Sequence, residues 1–260
     1  MHPLVNIAVG AARQAGNILL RSQKRVDTLK VRSKGRNDWV SEADVAAEQA
    51  IIEHIHKHYP DHAILGEESG SIGESDHVWI IDPLDGTTNF LHGFPVFCVS
   101  IGIEVRGRLE HGVVYDPNRG ELFTASRGAG AQLDGRRIRV SASRRIDDAL
   151  VGTGFPYRED SDDDADYLRQ LRKVLSRTAG VRRPGAAALD LAYVAAGRLD
   201  GFWEFHLKPW DIAAGAVLIR EAGGIVTEVN GDGNFMQSGH VLAASAKLYP
   251  ELLALLSGRG

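Results

Sequence analysis

The chain has 260 residues, 43% of them hydrophobic and 25% charged, with one cysteine; this length and apolar share bury a core without disulfides or a structural metal. A formal net charge of −4 gives no global attraction to polyanions and argues against a direct nucleic-acid binder. The N-terminal segment is interrupted by Arg13 and Arg21, so it reads neither as a membrane span nor as an export signal. A cytoplasmic protein is expected, in which Cys98 of the apolar run Phe97-Cys98-Val99 is a reduced, buried thiol.

In chain order, Leu4, Ile7, Ala8, Ala11, Ala12, Ala15, Ile18 and Leu19 fall at helical spacing and predict a helix over residues 4–23. Ser41-Glu42-Ala43-Asp44 is a helix start signal, and that helix runs to Tyr59, before Pro60. Strand signals follow at 63–66, 78–81, 96–105, 111–115 and 121–125, the later ones separated by antiparallel turns such as Arg106-Gly107 and Asp134-Gly135. The second half predicts helices at 165–177, 186–196 and 211–222, with strands at 201–205, 224–228 and 241–244. The weakest join is the polar stretch 158–166. The pattern is a layered α/β protein, expected as a single domain with an N-terminal lobe over 1–145 and a C-terminal lobe over 146–260.

The most informative run is Trp79-Ile80-Ile81-Asp82-Pro83-Leu84-Asp85-Gly86-Thr87-Thr88-Asn89-Phe90. A buried strand there ends in two carboxylates and a tight turn. Like charges that close raise each other's pKa unless a cation neutralises them, so a divalent metal is the natural partner. A helix starting at Thr87 turns its free amides toward the same point, where they can hold a phosphate. The competing reading is an ordinary turn, since Asp-Pro and Asp-Gly are common turn dipeptides. Gly66-Glu67-Glu68-Ser69-Gly70 reads equally as a solvated acidic loop, and Asp211 of Pro209-Trp210-Asp211 reads equally as a helix cap.

Other signals carry less. His54 and His58 share a helix face while His56 points away. Gly128-Ala129-Gly130 lacks the helix and acidic partner of a dinucleotide fingerprint. The arginines at 136, 137, 139, 144 and 145 suit a surface strand face better than a nucleic-acid site.

Taken together, Gly66-Glu67-Glu68-Ser69, the run Trp79 to Phe90 and Trp210-Asp211-Ile212-Ala213-Ala214-Gly215 resemble the inositol monophosphatase family, in the family's order and over nearly the whole chain. Arg182-Arg183-Pro184-Gly185-Ala186-Ala187-Ala188-Leu189-Asp190 is similar to its bacterial branch. The resemblance implies a five-layer αβαβα sandwich, usually a homodimer, and a lithium-sensitive hydrolase of inositol phosphate acting through metal-activated water. It assigns Glu67, Asp82, the Leu84 carbonyl, Asp85 and Asp211 to two or three Mg2+ ions, an oxygen-only set suited to a hard cation. Glu67 and Thr87 are implied to position the attacking water, with Asp44 orienting Thr87, although capping explains Asp44 equally well. Substrate contacts are implied for Glu67, Leu84, Asp85, Gly86, Thr87, Arg182, Ala187, Glu204 and Asp211, and a mobile loop for Lys34 and Asp38. Ala186 replaces a hydroxyl-bearing residue of the family pattern, so one contact differs. Some bacterial relatives serve as accessory proteins of the transcription machinery, which implies a second class of function and protein partners.

Overall fold

The computed structural model describes residues 2–35, 38–155 and 162–257. The chain begins with α1 (Pro3–Gln23), opened by a proline at its first position and burying Leu4, Val5, Ala8, Ala11, Ala12, Ala15 and Leu19. A hairpin of β1 (Val31–Gly35) and β2 (Asp38–Ser41) leads into α2 (Glu42–His58), whose cap is the box formed by Ser41 and Asp44. Then come β3 (Ala63–Gly66), β4 (Gly70–Ile72), β5 (His77–Asp85), α3 (Thr87–Leu91) and the strands β6 (Cys98–Val105), β7 (Arg108–Asp116), β8 (Glu121–Ser126), β9 (Gly130–Leu133) and β10 (Arg136–Arg137). The second half holds β11 (Leu150–Thr153), α4 (Asp162–Arg177), β12 (Gly180–Arg182), α5 (Ala187–Ala195), β13 (Gly201–Glu204), α6 (Pro209–Glu221), β14 (Gly224–Thr227), α7 (Phe235–Ser238), β15 (Val241–Ser245) and α8 (Tyr249–Ser257).

These elements stack in five layers. α1 and α2 cover one face of an eight-stranded sheet ordered β10-β9-β8-β7-β6-β5-β3-β4. α5 and α6 fill the space between it and a five-stranded sheet ordered β12-β11-β13-β15-β14, and α4 and α8 cover the outer face of that second sheet. The large sheet is antiparallel except where β3 runs parallel to β5; in the small sheet β11 runs parallel to both β12 and β13. The structure is therefore the αβαβα sandwich.

Two glycines set how closely the central layer sits. Gly102 on β6 faces Gly112 on β7, and a Cβ on either would stand 2.5 Å from Ala213 or Ala214 of α6. With only hydrogens there, the small-residue side of α6 drops into the notch. Ser100 then reaches the helix start, donating to the Trp210 carbonyl at 3.0 Å, so the first turn of α6 is pinned beside the end of β5.

The predicted helices and the longer strands recur with shifted ends. β5 runs on to Asp85 instead of stopping at Ile81, because its pairing with β6 resumes after a bulge, Asp82 opposite Ser100 and Asp85 opposite Cys98. The hairpin of β1 and β2, the short strands β4, β9, β11 and β12, and α8 carry no expectation in the sequence reading. Part of the polar stretch 158–166 lies outside the described residues. No described helix is long and apolar enough to cross a membrane.

Candidate metal and phosphate site

Strand alternation sends Trp79 and Ile81 into the cluster under α1 and α2, and Asp82 to the opposite face, toward α6. Asp82, Asp85 and Asp211 each bring one carboxylate oxygen to within 4.8 Å of the others. Asp82 is 2% exposed, and one of its oxygens is fixed by the Leu84 amide at 2.9 Å. Burial pushes its carboxyl well above the ordinary range, and the charges of Glu67, Asp85 and Asp211 add to this. Asp85 is pushed up to about 7, by burial first and then by Asp211. Three oxygen donors that repel one another, two of them buried and that of Asp211 half-buried, fit a hard divalent cation, and among the described residues no histidine joins the set.

Two of these acids also hold helix starts. Asp85 accepts from the amides of Ala187 at 3.2 Å and Ala188 at 2.7 Å, the opening of α5, and the Cys98 thiol lies 3.6 Å from its Oδ2. Asp211 accepts from the Lys208 amide at 2.7 Å across the first turn of α6. The capping reading leaves room for the ligand reading in the same side chain, since a carboxylate has lone pairs for both.

Glu67 extends β3 along β5, its amide donating to the Ile81 carbonyl at 3.1 Å. Its carboxylate is not one of the three clustered acids, but its charge is the first after burial to act on Asp82. Gly86 precedes α3 with φ +93°, and a Cβ there would stand 2.9 Å from the Val96 carbonyl, so the turn requires glycine. The Thr87 hydroxyl lies 3.0 Å from the Leu84 carbonyl and 3.2 Å from Asp44 Oδ1; its one proton goes to either acceptor, and its lone pairs stay available. The other Asp44 oxygen takes the Ser41 amide at 2.9 Å and hydroxyl at 2.5 Å. Burial raises the Asp44 carboxyl, against these hydrogen bonds.

At the opposite wall, Phe202 packs on the α5 and α6 side of β13 and Trp203 on the α4 and α8 side, so alternation turns Glu204 toward the central helices. Its carboxyl is pushed up to about 8 by burial, then by Asp211, with Arg183 opposing. Ala187 contributes its amide to Asp85. Arg182 is exposed on the edge strand β12 and donates to the Val181 carbonyl at 3.1 Å, so it is not drawn into this constellation; the charge that reaches Glu204 is that of Arg183. Lys34 and Asp38 fall on the hairpin of β1 and β2, and their side chains lie outside the described residues.

Several neighbours carry no role in the sequence reading. Glu48 accepts the Glu68 amide at 3.2 Å and is 3% exposed, fixing the turn that presents Glu67. Asn89 donates to the carbonyls of Val96 at 2.7 Å and Pro184 at 2.8 Å, tying α3 to the approach of α5. Asp190, 1% exposed on α5, was marked by being the lone acid in the apolar run Ala186-Ala187-Ala188-Leu189-Asp190-Leu191-Ala192.

Fold and site define a five-layer αβαβα protein with a three-carboxylate centre where two central helices begin. The inositol monophosphatase family model matches residues 1–259, and the chain belongs to that family. Nus factor SuhB of Pseudomonas aeruginosa is 54% identical over 261 residues, covering 98% of this chain and 96% of that protein. Among solved structures, extragenic suppressor protein suhB from Bartonella henselae superposes with TM-score 0.95 at 46% identity, covering 98% of each chain. The inositol monophosphatase from Anabaena (Nostoc) superposes with TM-score 0.87 at 39% identity, covering 98% of this chain and 95% of that one.

Proposed function

We propose that this chain is a Mg2+-dependent phosphatase of small phosphate monoesters, with inositol 1-phosphate as its preferred substrate. The observation that carries the reading is the convergence of one carboxylate oxygen each of Asp82, Asp85 and Asp211 within 4.8 Å where two central helices begin. Asp82, Asp85, Asp211, Glu67 and the Leu84 carbonyl would hold two or three ions. Bound Mg2+ supplies positive charge toward phosphoryl oxygens and acidifies water.

The chain's own residues do the rest. Thr87 and Glu67 hold the attacking water, and Asp44 accepts a hydrogen bond from the Thr87 hydroxyl so that the hydroxyl oxygen faces that water as an acceptor. Gly86 and Thr87, at the start of α3, offer amides to the phosphate. Glu204 accepts hydrogen bonds from leaving-group hydroxyls, while Ala187 borders the substrate. The slow uncatalysed reaction requires this division of labour, since no single side chain supplies the acceleration. A homodimer in the cytoplasm is part of the same reading. The test is phosphate release by purified protein from inositol, glycerol, sugar and nucleotide phosphates. Mg2+-dependent release, fastest with inositol phosphate, is expected; no release from any of them overturns the reading.

A second reading is favoured by the name of the relatives. Nus factor SuhB points to an accessory role in transcription, served by a surface that need not include the carboxylates. A folded Asp82→Asn protein separates the two: retention of the cellular role without turnover assigns that role to binding.

A further inference from the structure

Gly154, the residue that follows β11, lies against the carboxylate of Glu204. Its φ is outside the left-handed region, so the backbone there accepts an L side chain and does not itself call for glycine. The three heavy atoms nearest to where a Cβ would stand are the two oxygens and the carboxyl carbon of Glu204. Two residues earlier the reason for glycine is different. A Cβ on Gly152 would stand 2.9 Å from Leu199 and 3.2 Å from Phe202, both packed in the central apolar layer.

Strand pairing explains why the carboxylate lies there. β11 and β13 run parallel with Thr153 opposite Trp203, so the next step along both chains brings Gly154 beside Glu204. On the other flank, Glu204 is opposite Val241 of β15, a fully buried side chain of the central layer. Between a valine and a glycine, the glutamate side chain leans over the glycine. Its carboxylate takes the volume of the missing methyl.

We infer that Gly154 is a positioning residue that sets leaving-group specificity, its missing side chain being the socket that seats the Glu204 carboxylate toward hydroxyls of a polyol. This rests on the phosphatase reading and deepens it. A methyl at this position meets the far end of a flexible side chain and not backbone, so the protein yields by turning the carboxylate aside and keeps its fold. Asp82, Asp85 and Asp211 are not among the groups that such a methyl meets first. Hydroxyl recognition is lost while the three clustered acids stay in place.

The experiment measures kcat/KM for inositol 1-phosphate relative to phenyl phosphate in the wild type, Gly154→Ala, Glu204→Ala and the double variant, in Mg2+ and with thermal melts to confirm folding. Gly154→Ala is expected to lower this ratio about tenfold, the low end for a hydrogen bond to a charged group, through the inositol phosphate alone. In the Glu204→Ala background the socket is empty, the new methyl fits, and the ratio stays where Glu204→Ala put it. A merely structural glycine predicts a second loss there. Gly154→Ser serves where Gly154→Ala does not fold, and failure of both to fold even with Glu204→Ala overturns the inference, since the glycine then serves the fold. An unchanged ratio in Gly154→Ala beside a lowered one in Glu204→Ala overturns the inference alone, as does an equal loss on both substrates or a further fall in the double variant. An unchanged ratio in Glu204→Ala overturns the role of that acid and the inference with it. Calorimetric binding of the two phosphates in Mg2+ repeats the comparison without turnover. Binding selectivity that depends on Gly154 only while Glu204 is present, in a protein with no turnover, supports the inference and overturns the catalytic reading alone. Neither binding nor turnover of either phosphate overturns both.

Discussion

Asp85 accepts the Ala188 amide at 2.7 Å, joining the end of β5 to the start of α5 across 103 residues of sequence. The same carboxylate is one of the three that converge with Asp82 and Asp211. The position of that carboxylate is thus held by a helix terminus.

That relationship separates two neutralising substitutions. Asp82 has one oxygen on the Leu84 amide, a bond that an asparagine carbonyl keeps, so Asp82→Asn folds normally and loses at least about 100-fold in turnover. Asp85 accepts through both oxygens, and an asparagine amide facing either Ala187 or Ala188 forfeits one bond. Asp85→Asn therefore loses turnover and about 1 kcal/mol of stability as well. Urea melts with phosphate-release assays check this, and equal stability of the two variants contradicts it.

Metal removal gives the second expectation. Activity disappears in EDTA, returns with Mg2+ and falls with excess Ca2+, whose longer and looser coordination misplaces the reacting groups. Li+ at millimolar level inhibits at moderate Mg2+, as the family membership implies. Full turnover in chelator, or rates indifferent to LiCl, contradicts the assigned centre.

How far the sequence reached can be seen at particular residues. Asp82 and Asp85 were legible because a strand ending in two acids and a turn is a local pattern, and Asp211 because it opens an apolar helix. That these three meet was not legible: it depends on the glycine notch at Gly102 and Gly112 that admits α6, and on pairings between distant strands. The family resemblance supplied that meeting in advance. β11 escaped because Leu150-Val151-Gly152-Thr153 is short and glycine-interrupted, which weakens any strand signal. With β11 unseen, the placement of Asp190 beside Gly152 and of Glu204 beside Gly154 had no support to be read from.

Asp85 and Glu204 also fix a pH dependence of stability. Asp85 moves from an ordinary 3.8 up to about 7 on folding without a cation, and Glu204 from 4.5 to about 8. Through those windows the folded state holds protons that the unfolded chain has released, so stability of the cation-free protein falls as pH rises. Mg2+ would substitute for the Asp85 proton and stabilises more at about pH 8 than at about pH 5. Thermal melts in EDTA and in Mg2+ at both pH values measure this. A gain from Mg2+ that is larger at the lower pH contradicts it.

The last expectation separates the metal end of the site from the polyol end. Asp82→Asn removes charge from the shared cluster, so inositol 1-phosphate and a plain aryl phosphate both lose nearly all turnover. Glu204 faces the same space from β13, yet is not one of the three clustered acids, so Glu204→Ala acts on the leaving group. A hydrogen bond from a hydroxyl to a carboxylate contributes about 1.5–3 kcal/mol, or roughly 10- to 150-fold in kcat/KM, and only for the substrate that has the hydroxyl. The ratio of the two kcat/KM values therefore falls in Glu204→Ala and holds in Asp82→Asn, where residual turnover of each is compared at saturating Mg2+. Equal losses on both substrates in Glu204→Ala make Glu204 a support of the metal ligands, and no loss on either leaves it a charged strand end.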